Sequence, residues 1–270
     1  MRQGLVTRGE WAFIAGAAEG LGEAFSTVLA AAGMNLVMAD IKAPELEKLA
    51  PELEKKYRMK TDSLVIDLSE ENAWQRCMEK ILEHDCRLLV WNAAYSHVRP
   101  FLEHSHEVLD HFVNVNARNV IHLVHAFASQ LQAEQKPGGI LLMSSLSGVV
   151  APPLVAPYAA TKAFNIKLAE SLFYELKPLG IGITACTAGI VSTPKFWESS
   201  PVFGTFKPSI MEPEAVVAFA IRNLGRKPVI TPGWSNRFSY FLLTRILPKN
   251  VSLKIVAGTM QKMYRRPQAN

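Results

Sequence analysis

Three features predict a doubly wound α/β fold, with about seven mainly parallel strands and helices on both faces of the sheet. Short apolar runs alternate with longer amphipathic segments from the first residues to about Pro232. The runs are mostly continuous rather than alternating in polarity, and the first ends in a glycine-rich turn that opens a helix. Continuous runs suit strands covered on both faces. Alternating β and α elements joined by right-handed crossovers give a parallel sheet.

The predicted strands, in order, are WAFIAG, NLVMAD, SLVID, LLVWNA, GILLMSS, GITACTAG and PVITP. After Gly20, residues Leu21, Phe25, Val28, Leu29 and Ala32 form one apolar face at helical spacing, closed by Gly33. Further helices are predicted over Glu45–Tyr57, Glu71–His84, Glu107–Gln135, Tyr158–Leu176 and Pro213–Leu224, with Pro51 breaking or kinking the first of these. No repeat, low-complexity stretch or linker divides the chain, so residues 1–270 read as one domain with an extension over 233–270. The segment Pro194–Pro213 reads as neither strand nor helix. A loop of that length inside a compact domain suits a lid over a site.

Apolar residues make up 49% of the chain and charged ones 20%, which permits a large core and argues against disorder. The net charge of +5 gathers toward the end, in Lys249, Lys254, Lys262, Arg265 and Arg266. No basic stripe interleaved with aromatics is present, so nucleic acid is not an expected partner. The basic end reads as solvated, in preference to membrane-facing. Three cysteines without a CxxC pair suit a reducing compartment. With no signal-peptide pattern at the start, and the apolar stretch near the end interrupted by Arg245, Pro248 and Lys249, a cytoplasmic protein is expected.

The turn IAGAAEGLG carries Gly16, Gly20 and Gly22, with Ala18, Glu19 and Leu21 between and beside them. Glycines let backbone approach a pyrophosphate, and the helix start offers free N–H groups and a favourable dipole. The second strand ends in Asp40, 24 residues after Gly16, where an acid accepts ribose hydroxyls and repels a 2′-phosphate. Glu19 adds negative charge and Lys42 is the nearby counterweight. NAD is therefore the expected cofactor, with NADP as the alternative. Asp67, followed by Leu68, is placed to touch the adenine edge.

Tyr158 and Lys162, in YAATK, stand at i and i+4 on one helix face. A free tyrosine titrates near ~10, and a cation held close lowers that value toward a useful range. An isolated pair of this kind is commonplace, but here it has company. The sequence resembles the short-chain dehydrogenase/reductase family from about Glu10 to Pro232. GAAEGLG (16–22) matches its GxxxGxG loop, WNAA (91–94) lies where NNAG is expected, and VNVNARN offers Asn116, with Asn114 as competitor. LLMSSLSG offers Ser144, Ser145 and Ser147, and the family gap of 13 residues to the tyrosine selects Ser145. TAGIVSTP (187–194) resembles the PG-x-x-x-T segment.

The resemblance implies a Rossmann-type fold and reversible conversion of an alcohol and a carbonyl. Tyr158 would be the acid–base residue, and Lys162 would lower its pKa and hold the nicotinamide ribose. Ser145 would bond the substrate oxygen and Asn116 would hold a water in the proton relay. It further implies cofactor contacts at Asn92, Ala93, Gly189, Ile190 and Thr193, and a homodimer or homotetramer paired through the helix after Glu107. Trp91, Ala94 and Ala188 depart from the family pattern, the last with the expectation of a looser turn. A low-turnover dinucleotide sensor or scaffold is the rival from another class.

His97, His104, His106 and His111 cluster without supporting Asp or Cys, as do His122 and His125, so no metal site is expected. Phe196, Trp197, Phe203 and Phe206 in the lid segment suit an apolar substrate, such as a lipid, steroid-like or acyl carbonyl, and equally suit packing of the loop.

Overall fold

The structure is a computed structural model and describes residues 5–203 and 208–264. Gly204 and Phe206 of the lid segment, and Arg265 and Arg266 of the basic end, lie outside the described residues. The first half runs β1 (Trp11–Ala15), α1 (Leu21–Ala31), β2 (Asn35–Asp40), α2 (Ala43–Tyr57), β3 (Thr61–Val65), α3 (Ala73–Glu83) and β4 (Cys86–Trp91). The second half runs α4 (His106–Val113), α5 (Asn119–Ala133), β5 (Gly138–Ser145), α6 (Ala156–Leu176), β6 (Ile181–Ala188), β7 (Ile190–Val191), α7 (Pro194–Glu198), β8 (Ile210–Met211), α8 (Pro213–Asn223), β9 (Val229–Ile230), α9 (Trp234–Phe241) and α10 (Lys249–Met263).

Seven strands form one sheet in the order β3-β2-β1-β4-β5-β6-β9, with every pairing parallel. Each of the seven predicted strands is there. Their side chains alternate between two cores. Ala12 and Ile14 of β1, Leu36 and Met38 of β2, and Leu88 and Val90 of β4 pack with α1, α2 and α8. The intervening Phe13, Val37, Ala39, Leu89 and Trp91 pack with α3, α5 and α6 on the opposite face. Both faces are apolar because both are covered, which is why the runs were continuous in sequence. Truncating a fully buried side chain such as Phe13 or Phe127 to alanine should cost about 3–5 kcal/mol.

The strand order reverses between β1 and β4, and a cleft opens there beyond the strand ends. Four local features differ from expectation. Helix α2 runs unbroken through Pro51, whose side is exposed, because Leu46, Leu49, Ala50 and Leu53 hold the helix down on the other face. β3 begins and ends earlier than predicted, since its register pairs Leu36 with Thr61 and Asp40 with Val65. Asp67 therefore lies beyond the strand. The helix predicted over Glu107–Gln135 is divided into α4 and α5 by a wide turn, Asn114–Arg118, in which Asn119 N–H donates to Asn114 O. Finally, the described residues of the segment Pro194–Pro213 include a short helix and a short strand. Thr193 Oγ1 accepts from Phe196 N–H and caps α7, whose first residue is Pro194, and β8 pairs with β7.

Candidate active site

One cleft of about 890 Å³ at the strand ends is lined by residues from almost every predicted motif. Gly16, Glu19, Gly20, Leu21, Asp40, Asp67, Leu68, Asn92, Ala93, Ser145, Tyr158, Lys162, Gly189, Ile190 and Thr193 all contribute to it. Ala18, Gly22 and Asn116 support its wall from behind.

The glycine loop is built for close approach. Gly16 has φ +75°, and a Cβ on it would come 2.7 Å from the backbone of Ala93. A Cβ on Gly22 would come 1.8 Å from the Gly16 carbonyl oxygen, so the first turn of α1 sits directly on the loop. Asn92 Nδ2 donates to Gly16 O at 2.7 Å, and the N–H groups of Asn92 and Ala93 donate to Ala15 O. Such a cradle, with a helix start beside it, fits a dinucleotide pyrophosphate. Asp40 receives the N–H of Ala18 at 2.9 Å and of Lys42 at 3.1 Å, one on each carboxylate oxygen. The acid therefore pins the loop while each oxygen keeps a lone pair free. Lys42 Nζ is paired with Glu19 at 2.6 Å, which raises the lysine pKa.

The wide turn between α4 and α5 aims three asparagines at the loops around the cleft. Asn114 Nδ2 holds Ser69 O, and Asn119 holds Leu68 O, Glu70 O and the N–H of Trp74. Asn116 receives the N–H of Tyr95 and donates to Tyr95 O and Thr161 Oγ1. Both amide protons of Asn116 are thus engaged, leaving one oxygen lone pair for the water expected there. Its main work is to fix the chain after β4 against α6. Turns of this kind are frequent at functional sites. Nothing in a helical periodicity marks the extra residue.

Tyr158 is half-buried in the first turns of α6, and Lys162 below it is 2% exposed. Burial pushes the Tyr158 phenol up to about 12, and a hydrogen bond with Ser145 opposes the rise. Lys162 Nζ lies 5.5 Å from the Tyr158 ring centroid and donates to Met143 O at 2.7 Å. Burial, and then repulsion from Lys195, lowers its pKa to about 7. Lys162 thus spends one N–H on Met143 O, and its burial works against the charged form. Ser145 Oγ accepts from Ser147 N–H and from Ser147 Oγ, which fixes its position at the end of β5.

The departures from the family pattern fall into place. Ala188 ends β6 opposite Ser145, and unlike a proline it keeps an N–H for the sheet. Trp91 is fully buried at the end of β4, with an indole N–H that has no partner among the described residues. Lys195 Nζ donates to Ala94 O at 3.4 Å, and desolvation lowers its pKa. Of the histidines, His97 and His111 reach the cleft, each against the Tyr95 ring.

Sequence reasoning missed two parts of the wall. One is Lys195, which follows the Thr-Pro cap. The other is the end of α10, whose Met260, Met263 and Tyr264 line the cleft. Tyr264 OH lies 2.9 Å from Ser199 Oγ, and Val202 N–H donates to Met263 O at 2.9 Å, so the chain after α7 is tied to α10. Further back, Asn236 of α9 is buried against Gly189 and donates to Pro232 O. No local sequence signal announces these long-range contacts.

A family model described as short chain dehydrogenase matches residues 10–201. A very-long-chain 3-oxoacyl-CoA reductase of Meyerozyma guilliermondii is 30% identical over 253 residues, covering 87% of this chain and 72% of the relative. A 7beta-hydroxysteroid dehydrogenase of Clostridium sardiniense is 27% identical over 229 residues, covering 85% and 87%. Among solved structures, one described for 7beta-hydroxysteroid dehydrogenase stereoselectivity superposes with a TM-score of 0.85 at 24% identity, covering 93% of this chain and 97% of the other.

Proposed function

The chain belongs to the short-chain dehydrogenase family and is a nicotinamide-dependent oxidoreductase, and from that premise we propose that it interconverts a bulky apolar alcohol and its carbonyl compound with NAD(H). The observation that carries this reading is that Tyr158, Ser145 and Lys162 line one cleft together with the glycine loop residues Gly16 and Gly20. The bound dinucleotide would supply or accept the hydride. In reduction, Tyr158 Oη gives its proton to the carbonyl oxygen while Ser145 Oγ bonds the same oxygen; in oxidation the transfers reverse. Lys162 would hold the ribose side of the cofactor, and Asn92, Gly189, Ile190 and Thr193 would contact its nicotinamide half, all of them residues that line the cleft.

Apolar substrate chemistry is supported by Val115, Val155, Phe196, Met260 and Met263 around the cleft, and by relatives whose names are those of acyl and steroid enzymes. The segment 194–213 reads as a lid: α7 contributes Phe196 to the cleft and carries Trp197, which packs edge-on to it at 5.1 Å. NAD(H) is favoured over NADP(H) by Asp40 and by the Glu19 carboxylate that occupies Lys42. A homodimer or homotetramer through the outer face of α4 and α5 is supported by the exposed Val113 and Ile121. A reducing, cytoplasmic location is supported by three free, buried cysteines. Absorbance of the reduced cofactor, followed over a panel of apolar ketones and alcohols with both cofactors, tests the reading. No turnover of any panel member, with cofactor binding intact, would favour the sensor instead.

A further inference from the structure

We infer that the C-terminal helices α9 and α10 form a docking surface for an anionic lipid bilayer, set beside the mouth of the cleft. No described helix is long and apolar enough to cross a membrane, so the contact is with the surface of the bilayer. Trp234, Phe238 and Phe241 stand at i, i+4 and i+7 on one stripe of α9, and they are 76%, 60% and 52% exposed. Val251 and Ile255, at i and i+4 on α10, are also exposed, as is Ile246 between the two helices. Single exposed apolar residues are ordinary, but an aromatic stripe left open to water costs free energy unless something covers it.

The charge around this stripe identifies the cover. Residues 233–270 hold seven Lys or Arg and no Asp or Glu, more positive charge than the whole chain's net +5. Arg237, Arg245, Lys249, Lys254 and Lys262 are all exposed, and among the described residues none has a carboxylate within ion-pair distance. A second copy of the chain would bring the same unpaired positive charge against itself. An anionic bilayer instead offers phosphates to the basic side chains and an interface in which Trp and Phe rings settle. The sequence alone favoured a solvated end; exposure of the aromatic stripe reverses that weight.

The surface has a use at this site. The last turn of α10 supplies Met260, Met263 and Tyr264 to the cleft, and its end is tied to the chain after α7, where Val202 is also exposed. A bilayer seated on α9 and α10 would lie close to the route by which an apolar substrate enters.

The test is flotation of the full chain with phosphatidylcholine vesicles containing or lacking phosphatidylglycerol, which needs no catalytic activity and stands or falls apart from the enzymatic reading. The protein should float with the anionic vesicles and be released by salt. Replacing Trp234, Phe238 and Phe241 with Ser should weaken binding roughly tenfold or more, and so should K249E with K254E. Circular dichroism of each variant checks that it is folded. Recovery in the soluble fraction with both vesicle types would overturn the proposal. So would a dimer, seen by light scattering, that the triple Ser variant abolishes, since the stripe would then serve a second copy.

Discussion

The ammonium of Lys42 lies 2.6 Å from the Glu19 carboxylate, so the base two residues after Asp40 is already paired by the glycine loop itself. Both side chains are more than a third exposed, and the pair contributes at most about 1 kcal/mol after screening. Its importance is for selection. While the pair stands, a 2′-phosphate would meet the carboxylates of Asp40 and Glu19 with Lys42 already engaged.

Glu19→Gln should therefore improve NADPH binding relative to NADH by roughly fivefold to tenfold, since it removes a repelling charge and frees Lys42. Fluorescence titration of both reduced cofactors measures the ratio. An unchanged ratio would mean that Asp40 alone sets the preference.

Tyr158→Phe keeps the ring and removes the transferable proton. The protein should fold and bind cofactor, with turnover lowered by at least ~10²-fold. Near wild-type turnover on a verified substrate would remove Tyr158 from the chemistry.

Lys162 makes a prediction in which stability and activity part company. Its pKa falls from 10.5 to about 7 on folding, so the unfolded chain binds the extra proton between those limits. Stability consequently rises with pH across that window, and the cost of burying the ammonium is greatest below about pH 7. Lys162→Met should lose turnover yet be more stable than the parent near neutral pH, by roughly 1–3 kcal/mol. The gain should shrink as pH rises toward 10.5. Thermal melts of both proteins across that range decide it; a parallel pair of curves would count against the buried, destabilised lysine.

Much of this architecture was legible before any coordinates because it rests on local pattern. Continuous runs such as NLVMAD and GILLMSS could only be strands covered on both faces, and Tyr158 and Lys162 share a helix face by spacing alone. What escaped depends on geometry between distant segments. The extra residue at Asn114–Arg118 leaves the apolar periodicity intact, so the sequence looks like one helix while the backbone turns three asparagines onto segments 21 to 51 residues away. Pro51 reads as a breaker, yet four buried neighbours on the opposite face outweigh one missing hydrogen bond. The return of α10 to the cleft, through Tyr264 and Met263, has no local signature.

That return sharpens what the lid segment should do. Phe196 faces the cleft, and Trp197 and Phe203 lie 5.1 Å and 6.3 Å from its ring, so the three aromatics pack as a group. Trp197 is half exposed, and covering it with an apolar ligand would remove that surface from water. The group is held from behind by the Ser199–Tyr264 and Val202–Met263 hydrogen bonds, which give it a fixed anchor on α10. Replacing Trp197 and Phe203 with Ala should raise KM for a bulky apolar substrate, because the two rings back Phe196 at the cleft, while cofactor affinity stays nearly unchanged, because the glycine loop and Asp40 are untouched. Tyr264→Phe should have a smaller effect of the same sign, since it releases the anchor and keeps the ring. Hydrogen exchange over residues 194–203 should slow when cofactor and substrate are both present. Equal exchange with and without ligands, together with an unchanged KM in the double alanine variant, would leave the aromatics as packing for the loop and nothing more.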